Sequence, residues 1–309
     1  MKTIEVTGLS RRFGSVVALD DVSFSLAENQ IHGLLGRNGA GKTTLMQLLT
    51  GQQFASSGRI RLFGEPPLEN ARVLDRVCFI REGQAYPDSF RVKHVLSAGP
   101  ISHRGWDAGL ARQLVEEFRL RTGQRVKSLS RGQLSALGVI VGLASRAPIT
   151  FFDEPYLGLD AAARQLFYDR LLADYAAHPR TVVLSTHLID EVADLLEHVL
   201  VLDQGRVLLD ADTESLRGSA AELSGPIEAV TALAGGHRVL HREQIGHLAR
   251  ITVQAPADRL ALHGSSGDAV RAEPISLQQL VIRLANASVQ SPLGTSEPSD
   301  RDSGKVVTR

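Results

Sequence analysis

Eight consecutive residues, Gly36-Arg37-Asn38-Gly39-Ala40-Gly41-Lys42-Thr43, have the spacing G-x-x-x-x-G-K-[ST] that cradles a polyphosphate. Glycines let the backbone turn its amides inward as an anion nest. The helical pattern that follows, Gly41 to Leu49, aims the positive end of a helix at the same phosphates. Lys42 is placed to reach the outer phosphates and Thr43 to ligate Mg²⁺, with Thr44 beside them. The plain alternative is a glycine turn capping a helix. Further along, Asp153-Glu154 closes the apolar run Ile149-Thr150-Phe151-Phe152. Adjacent carboxylates at the carboxyl end of a buried strand lie where α/β sheets bind ligands. Asp153 suits Mg²⁺ through water, and Glu154 suits polarisation of an attacking water, typically worth about 10²–10⁴-fold. His187 follows Ser185-Thr186 at the end of another apolar run.

Strands must alternate with helices to bring these groups together. Apolar runs at Ile31–Leu35, Val77–Ile80, Ile149–Phe152 and Val182–Ser185 read as buried strands. Helices are expected at Ala161–Ala177 and Leu188–Leu196. Ile4–Leu9 and Val16–Leu26 read as strands joined at Phe13-Gly14, with another strand at Gly58–Phe63. Val199–Leu202 and Arg206–Leu209 form a hairpin around Asp203-Gln204-Gly205. Val92 to Ala144 is mostly helical, with a loop from Gly99 to Asp107, and reads as an insertion between strands. The order predicts an α/β fold with a mostly parallel sheet. After about Leu216 the pattern changes to short strand-like runs, Arg238–Leu240 and Ala249–Val253, and one helix. That helix opens on a capping-box spacing at Ser276 to Gln279 and runs to about Ala285. Disorder is expected from Ser288, where Ser, Pro, Gly, Asp and Thr dominate.

Composition bounds the partners. The chain has 309 residues, with Lys+Arg and Asp+Glu both 34, so its formal net charge is zero. That argues against a nucleic-acid partner, which draws a basic surplus. A single cysteine, Cys78, cannot form an intrachain disulfide and suits a reducing, cytoplasmic compartment. The longest apolar run, Leu134 to Ala144, is far short of the ~20 residues that span a bilayer. His237, His241, His247 and His263 are not at metal-ligand spacing.

Leu129-Ser130-Arg131-Gly132-Gln133 resembles the LSGGQ signature of the ATP-binding cassette (ABC) family, with Arg131 in place of the first glycine. Ile149 to Glu154 resembles the family's Walker B strand, Leu157-Gly158-Leu159-Asp160 its D-loop and Ser185-Thr186-His187 its H-loop. Phe13 sits where the family stacks an aromatic on adenine. The resemblance covers residues 2–215. It implies an ABC-type P-loop NTPase with an N-terminal antiparallel β-subdomain and an inserted helical subdomain at about 85–146. It leaves a small α+β accessory unit at 216–287 and a tail at 288–309. Gly36, Asn38, Gly39, Gly41, Lys42, Thr43 and Thr44 would hold ATP, and His187 would sense its γ-phosphate. Ser130, Gly132, Gln133 and Asp160 would meet ATP across a dimer of cassettes.

The family's Q-loop glutamine falls at Ile80-Arg81-Glu82-Gly83-Gln84, where counting from the strand places Glu82, with Gln84 the alternative. Either offers an oxygen to Mg²⁺ or water. Acidic residues here occur in drug, antibiotic and polysaccharide exporters, so the resemblance leans toward that branch. It implies an ATP-hydrolysing subunit, cytoplasmic and peripheral on the inner face of the membrane, driving a separate transmembrane permease together with a second cassette. The alternatives are a soluble assembly ATPase outside transport, and a regulatory subunit that binds ATP with weak turnover. Only 85 residues separate Thr43 from Leu129, too few for the long coiled coils of repair members.

Overall fold

The computed structural model describes residues 2–263 and 270–290. In chain order it runs β1 (Lys2–Phe13), β2 (Val16–Ala27), β3 (Ile31–Leu35), α1 (Lys42–Leu49), β4 (Ser57–Leu62), α2 (Ala71–Leu74) and β5 (Val77–Arg81). The helical insertion follows as α3 (Val92–Ser102), α4 (Ala108–Glu117) and α5 (Arg131–Ser145). Then come β6 (Ile149–Asp153), α6 (Ala161–Ala177), β7 (Thr181–Thr186), α7 (Ile189–Val192), β8 (His198–Asp203), β9 (Arg206–Asp212) and α8 (Thr213–Leu216). The remainder is β10 (Ala221–Pro226), α9 (Ile227–Ala234), β11 (Val239–Ile245), β12 (Leu248–Val253), α10 (Ala257–His263), β13 (Arg271–Pro274) and α11 (Leu277–Gln290).

The central sheet has the order β5-β6-β7-β3-β8-β9, parallel except for β9. All residues of β3, β6 and β7 are buried, as a parallel sheet covered on both faces requires. One face packs on the helical insertion and α6, around Leu137, Ile140, Phe152 and Phe167. The other packs on α1 and the antiparallel sheet β2-β1-β4, around Leu19, Leu45, Met46 and Phe151. Because the strands are parallel and in register, Leu35, Arg81, Asp153 and Thr186 all end at one edge of the sheet. The four segments that follow them therefore converge, although they are far apart in sequence.

Residues 221–274 form a third sheet, β11-β12-β10-β13, antiparallel throughout. Its chain order, strand–helix–strand–strand–helix–strand, is the split βαβ arrangement. The core is Leu223, Val230, Ile251, Val253 and Leu260. α11 joins the two bodies: Leu280 and Leu284 pack with Leu240 and Ala220, while Val281 belongs to the helical-side core of the central sheet.

Four local expectations change. α3 runs through Gly99 and Pro100 to Ser102, so the loop begins later than Gly99. Trp106 lies flat against Gly99, where no Cβ would fit, and this packing holds the turn helical. The helix expected over 188–196 is only Ile189–Val192. The Leu195 amide closes a tighter turn onto the Val192 carbonyl, delivering Leu196 into the core. β10, α9, α10 and β13 are elements that the sequence pattern does not mark, since Gly225-Pro226 reads as a break inside the first of them. α11 does open on the expected capping box, with Ser276 Oγ accepting from the Gln279 amide at 3.2 Å and Gln279 Oε1 from the Ser276 amide at 3.1 Å. It continues to Gln290 rather than ending at Ala285, so 288–290 are helix. The rest of the expected tail, 291–309, lies outside the described residues.

Candidate nucleotide site

β3 ends in the phosphate loop and α1 begins at Lys42. Gly41 has φ +105°, and a Cβ there would stand 2.7 Å from the Ala18 carbonyl oxygen, so the turn into the helix requires glycine. Lys42 is buried; its Nζ donates to the carbonyls of Gly36 at 2.7 Å and Arg37 at 3.3 Å, which station the ammonium inside the loop. Asn38, Gly39, Gly41, Lys42, Thr43 and Thr44 line a cleft of about 570 Å³. Glu82, Glu154, Leu157 and His187 also line it, with Val16, Val17 and Ala18. Gly36 lies at the loop's start, in an adjoining cavity.

The acidic pair sits at the end of β6. Asp153 is 4% exposed, and its Oδ1 accepts from Ser185 Oγ at 2.6 Å. Ser185 Oγ also accepts from the Glu154 amide at 3.2 Å, so one hydroxyl fixes both acids. Glu154 has φ +48°, a left-handed conformation that costs a non-glycine residue about 1–3 kcal/mol and is tolerated where function needs it. Its Oε2 accepts from Tyr156 Oη and lies 2.9 Å from His187 Nδ1. Its Oε1 is buried, has no hydrogen-bond partner, and lies 3.5 Å from Lys42 Nζ. An unpartnered buried carboxylate oxygen beside the phosphate loop is a ready proton acceptor.

Of the two Q-loop candidates, Glu82 lines the cleft; its amide donates to the Asp153 carbonyl at 3.1 Å and its carboxylate pairs with Arg131. Gln84 is not part of the cleft wall; its Oε1 is buried without a hydrogen-bond partner.

The remaining sequence candidates stand apart from this cleft. Ser130 caps α5: its Oγ accepts from the Gln133 amide at 3.2 Å, and Gln133 Oε1 accepts from the Ser130 amide at 3.0 Å. Ser130 and Arg131 are exposed. Gly132 packs on the D-loop so closely that a Cβ would lie 2.5 Å from the Gly158 carbonyl oxygen. Asp160 caps α6, accepting from the Ala163 amide at 2.8 Å. Phe13 is 43% exposed with the Arg11 guanidinium 4.3 Å over its ring. It is not on the cleft wall, but it pairs with Val16, which is.

Two contributors carry no role in the sequence reading. Ser185 becomes the anchor of the acidic pair only because β6 and β7 pair Asp153 with Ser185. Tyr156 is buried and reaches three groups of the site through one hydroxyl. A tyrosine in a loop is an ordinary core residue by sequence, so nothing marks it out.

Ligands of parallel α/β sheets bind beyond the strand carboxyl ends, beside a strand whose neighbours run on to opposite sides. β3, between β7 and β8, is such a strand, and its phosphate loop makes this a P-loop nucleoside triphosphatase. The sequence profile of the ABC transporter family matches residues 19–157. The Nod factor export ATP-binding protein I of Burkholderia lata is 28% identical over 299 residues, covering 93% of this chain and 98% of that protein. Its counterpart in Paraburkholderia xenovorans is 32% identical over 236 residues, covering 72% of this chain and 77% of that one. Among solved structures, an ATP-binding subunit of an ABC transporter superposes with TM-score 0.63 at 21% identity, covering 85% of this chain and all of that one. A dimeric ATP-binding cassette in a post-hydrolysis state, bound to ADP and phosphate, superposes with TM-score 0.59 at 18% identity over 68% of this chain and 98% of that one. The chain belongs to the ABC family. It is an ATP-binding subunit of a transporter and an ATPase.

Proposed function

We propose that this chain powers an exporter, by closing with a second cassette around two ATP molecules and driving a separate transmembrane permease from the inner face of the membrane. The observation that carries this is the division of the site. The phosphate loop, Glu154 and His187 line one cleft, while Ser130 and Gly132 lie outside its lining, at the start of α5. A helix N-terminus with a serine cap is an anion site. Facing another copy's triphosphate, it would supply the half that the cleft lacks. The relatives' names, as export ATP-binding proteins, support the direction. No helix among the described residues is long and apolar enough to cross a membrane, so the pathway falls to a partner. In this reading 1–215 is the cassette, with its helical subdomain at 85–146. Residues 216–287 are an accessory unit.

Within the cleft, Lys42 and the loop amides bind the triphosphate. Glu154 Oε1 accepts the proton of the attacking water. With His187 Nδ1 facing Glu154, its Nε2 is left for the γ-phosphate. Thr43, Asp153 and Glu82 offer the hydroxyl and carboxylate oxygens that Mg²⁺ takes, and Mg²⁺ when bound supplies charge neutralisation of the phosphates. The test is ATP turnover per chain against concentration, with Glu154→Gln alongside. Turnover that rises with concentration and is lost in the variant supports two composite sites in a homodimer. Tight binding at any concentration without turnover would replace that reading with obligate pairing to a heterologous cassette or the permease.

A further inference from the structure

Tyr156 is 2% exposed, and its hydroxyl contacts Glu154 Oε2, Thr186 Oγ1 at 2.8 Å, His187 Nδ1 at 3.3 Å and the His187 amide at 3.3 Å. A phenol has one proton to give. Glu154 is an acceptor only, so that proton goes to Oε2. The Thr186 hydroxyl and the His187 amide must then donate to Tyr156. Thr186 Oγ1 in turn accepts from the Leu188 amide at 2.9 Å. Every hydrogen bond in this chain therefore runs one way, from the Leu188 amide through Thr186 and Tyr156 to Glu154. Burial, and then the bond to Glu154, push the phenol well above its ordinary range, so it remains a donor.

We propose that Tyr156 is a positioning residue for ATP hydrolysis: its hydroxyl holds Oε2 of Glu154 so that Oε1 alone faces the attacking water, and it ties the switch segment Thr186–His187 to the same carboxylate. The terminal torsion of a glutamate is broad and two-fold, so a carboxylate without such a tie samples many orientations. His187 Nδ1 also contacts Oε2, but its side chain is 38% exposed, on the loop that follows β7. Tyr156 is buried against the sheet edge and is the fixed member of the group. The other part a tyrosine could play here is filling the core, with its hydroxyl satisfied by whatever is near.

Tyr156→Phe separates the two, because it keeps the ring and removes only the hydroxyl. The full chain is measured for kcat, KM for ATP and Tm, with Glu154→Gln and Thr186→Val alongside. The expected result is a kcat lower by about tenfold, with KM for ATP within about twofold of wild type. Thr186→Val, which leaves the tyrosine in place but removes its donor, gives a smaller loss of the same kind. A Tyr156→Phe kcat equal to wild type overturns the proposal, as does a fall in Tm accompanied by parallel changes in kcat and KM. If Tyr156→Phe does not fold, an unchanged kcat in Thr186→Val overturns it instead. The inference rests on Glu154 as the base. Retained turnover in Glu154→Gln would remove that assignment and this one together. Loss in Glu154→Gln with full activity in Tyr156→Phe would remove this one alone.

Discussion

The cleft at the end of the central sheet and the signature at the start of α5 are built on opposite principles. Around the cleft, Lys42, Asp153 and Glu154 are buried: Lys42 donates to the phosphate-loop carbonyls and pairs with Glu154, and Ser185 of β7 holds both acids. At the signature, Ser130 and Arg131 are exposed, and the hydrogen bonds of Ser130 and Gln133 stay almost wholly within one helix turn. Charged groups held rigidly out of water stabilise a transition state because nothing must reorganise around them. An exposed helix end does no such work alone, but it is a surface that another molecule can dock against. In the proposed dimer, the cleft would be a nearly finished half of a reaction site and the start of α5 the complementary half of another chain's.

Mixing breaks or confirms that division most directly. Glu154→Gln and Gly132→Asp are each expected to lose turnover by about 100-fold or more, the first in the cleft and the second by a side chain forced against Gly158. Mixed together, the two inactive variants should recover turnover, because one site of the hybrid dimer pairs an intact cleft with an intact signature. Phosphate release that stays at baseline in the mixture would end the two-half description.

The far end of the same sheet gives a next, smaller effect. His32, on β3 opposite His198 of β8, is 1% exposed and lowered to about 4 by burial. The unfolded chain therefore takes up this proton more readily than the folded one below the ordinary value of 6.5. Stability is full above pH 6.5 and is lost as pH falls from there toward 4, by about 3 kcal/mol over the window. Tm measured from pH 7 down to pH 4.5 should fall in the wild type and fall less in His32→Gln. Equal slopes would show that His32 is not the titrating group.

The smallest effect belongs to the surface. Arg131 and Glu82 are 67% and 44% exposed, so breaking their pair by Arg131→Ala should change stability by less than about 1 kcal/mol in a chemical melt. The sharper readout is turnover. The pair joins the start of α5 to the segment after β5 in the same chain, so Arg131→Ala should alter the concentration dependence of ATPase activity more than the melt. A larger shift in the melt than in turnover would make it a structural clasp.

Much of this site is legible in the chain because its chemistry is local. The phosphate loop is eight contiguous residues, and the acidic pair and His187 each close a short apolar run that can only be a buried strand. The parts that are not legible depend on neighbours. Gly99-Pro100 looks like a helix end until Trp106 is seen packed against it. Gly225-Pro226 hides β10, since the local signal for a break outweighs pairing to β12 and β13, which lies tens of residues away. Phe13 reads as the adenine platform; its ring lies beneath the Arg11 guanidinium, and its hairpin partner Val16 lines the cleft.

By itself, the sequence determined which groups are present to bind and cleave a triphosphate, and in what order the strands and helices deliver them. Those properties follow from spacing within a few residues and from apolar runs of fixed period. Only the tertiary structure decided that Ser185 anchors the acidic pair, that Tyr156 engages Glu154 Oε2 while Oε1 accepts no hydrogen bond, and that Glu82 rather than Gln84 faces the cleft. Each of these depends on the parallel register of β5, β6 and β7. Register is set by how a whole sheet packs between two cores, and no short stretch of chain contains that information.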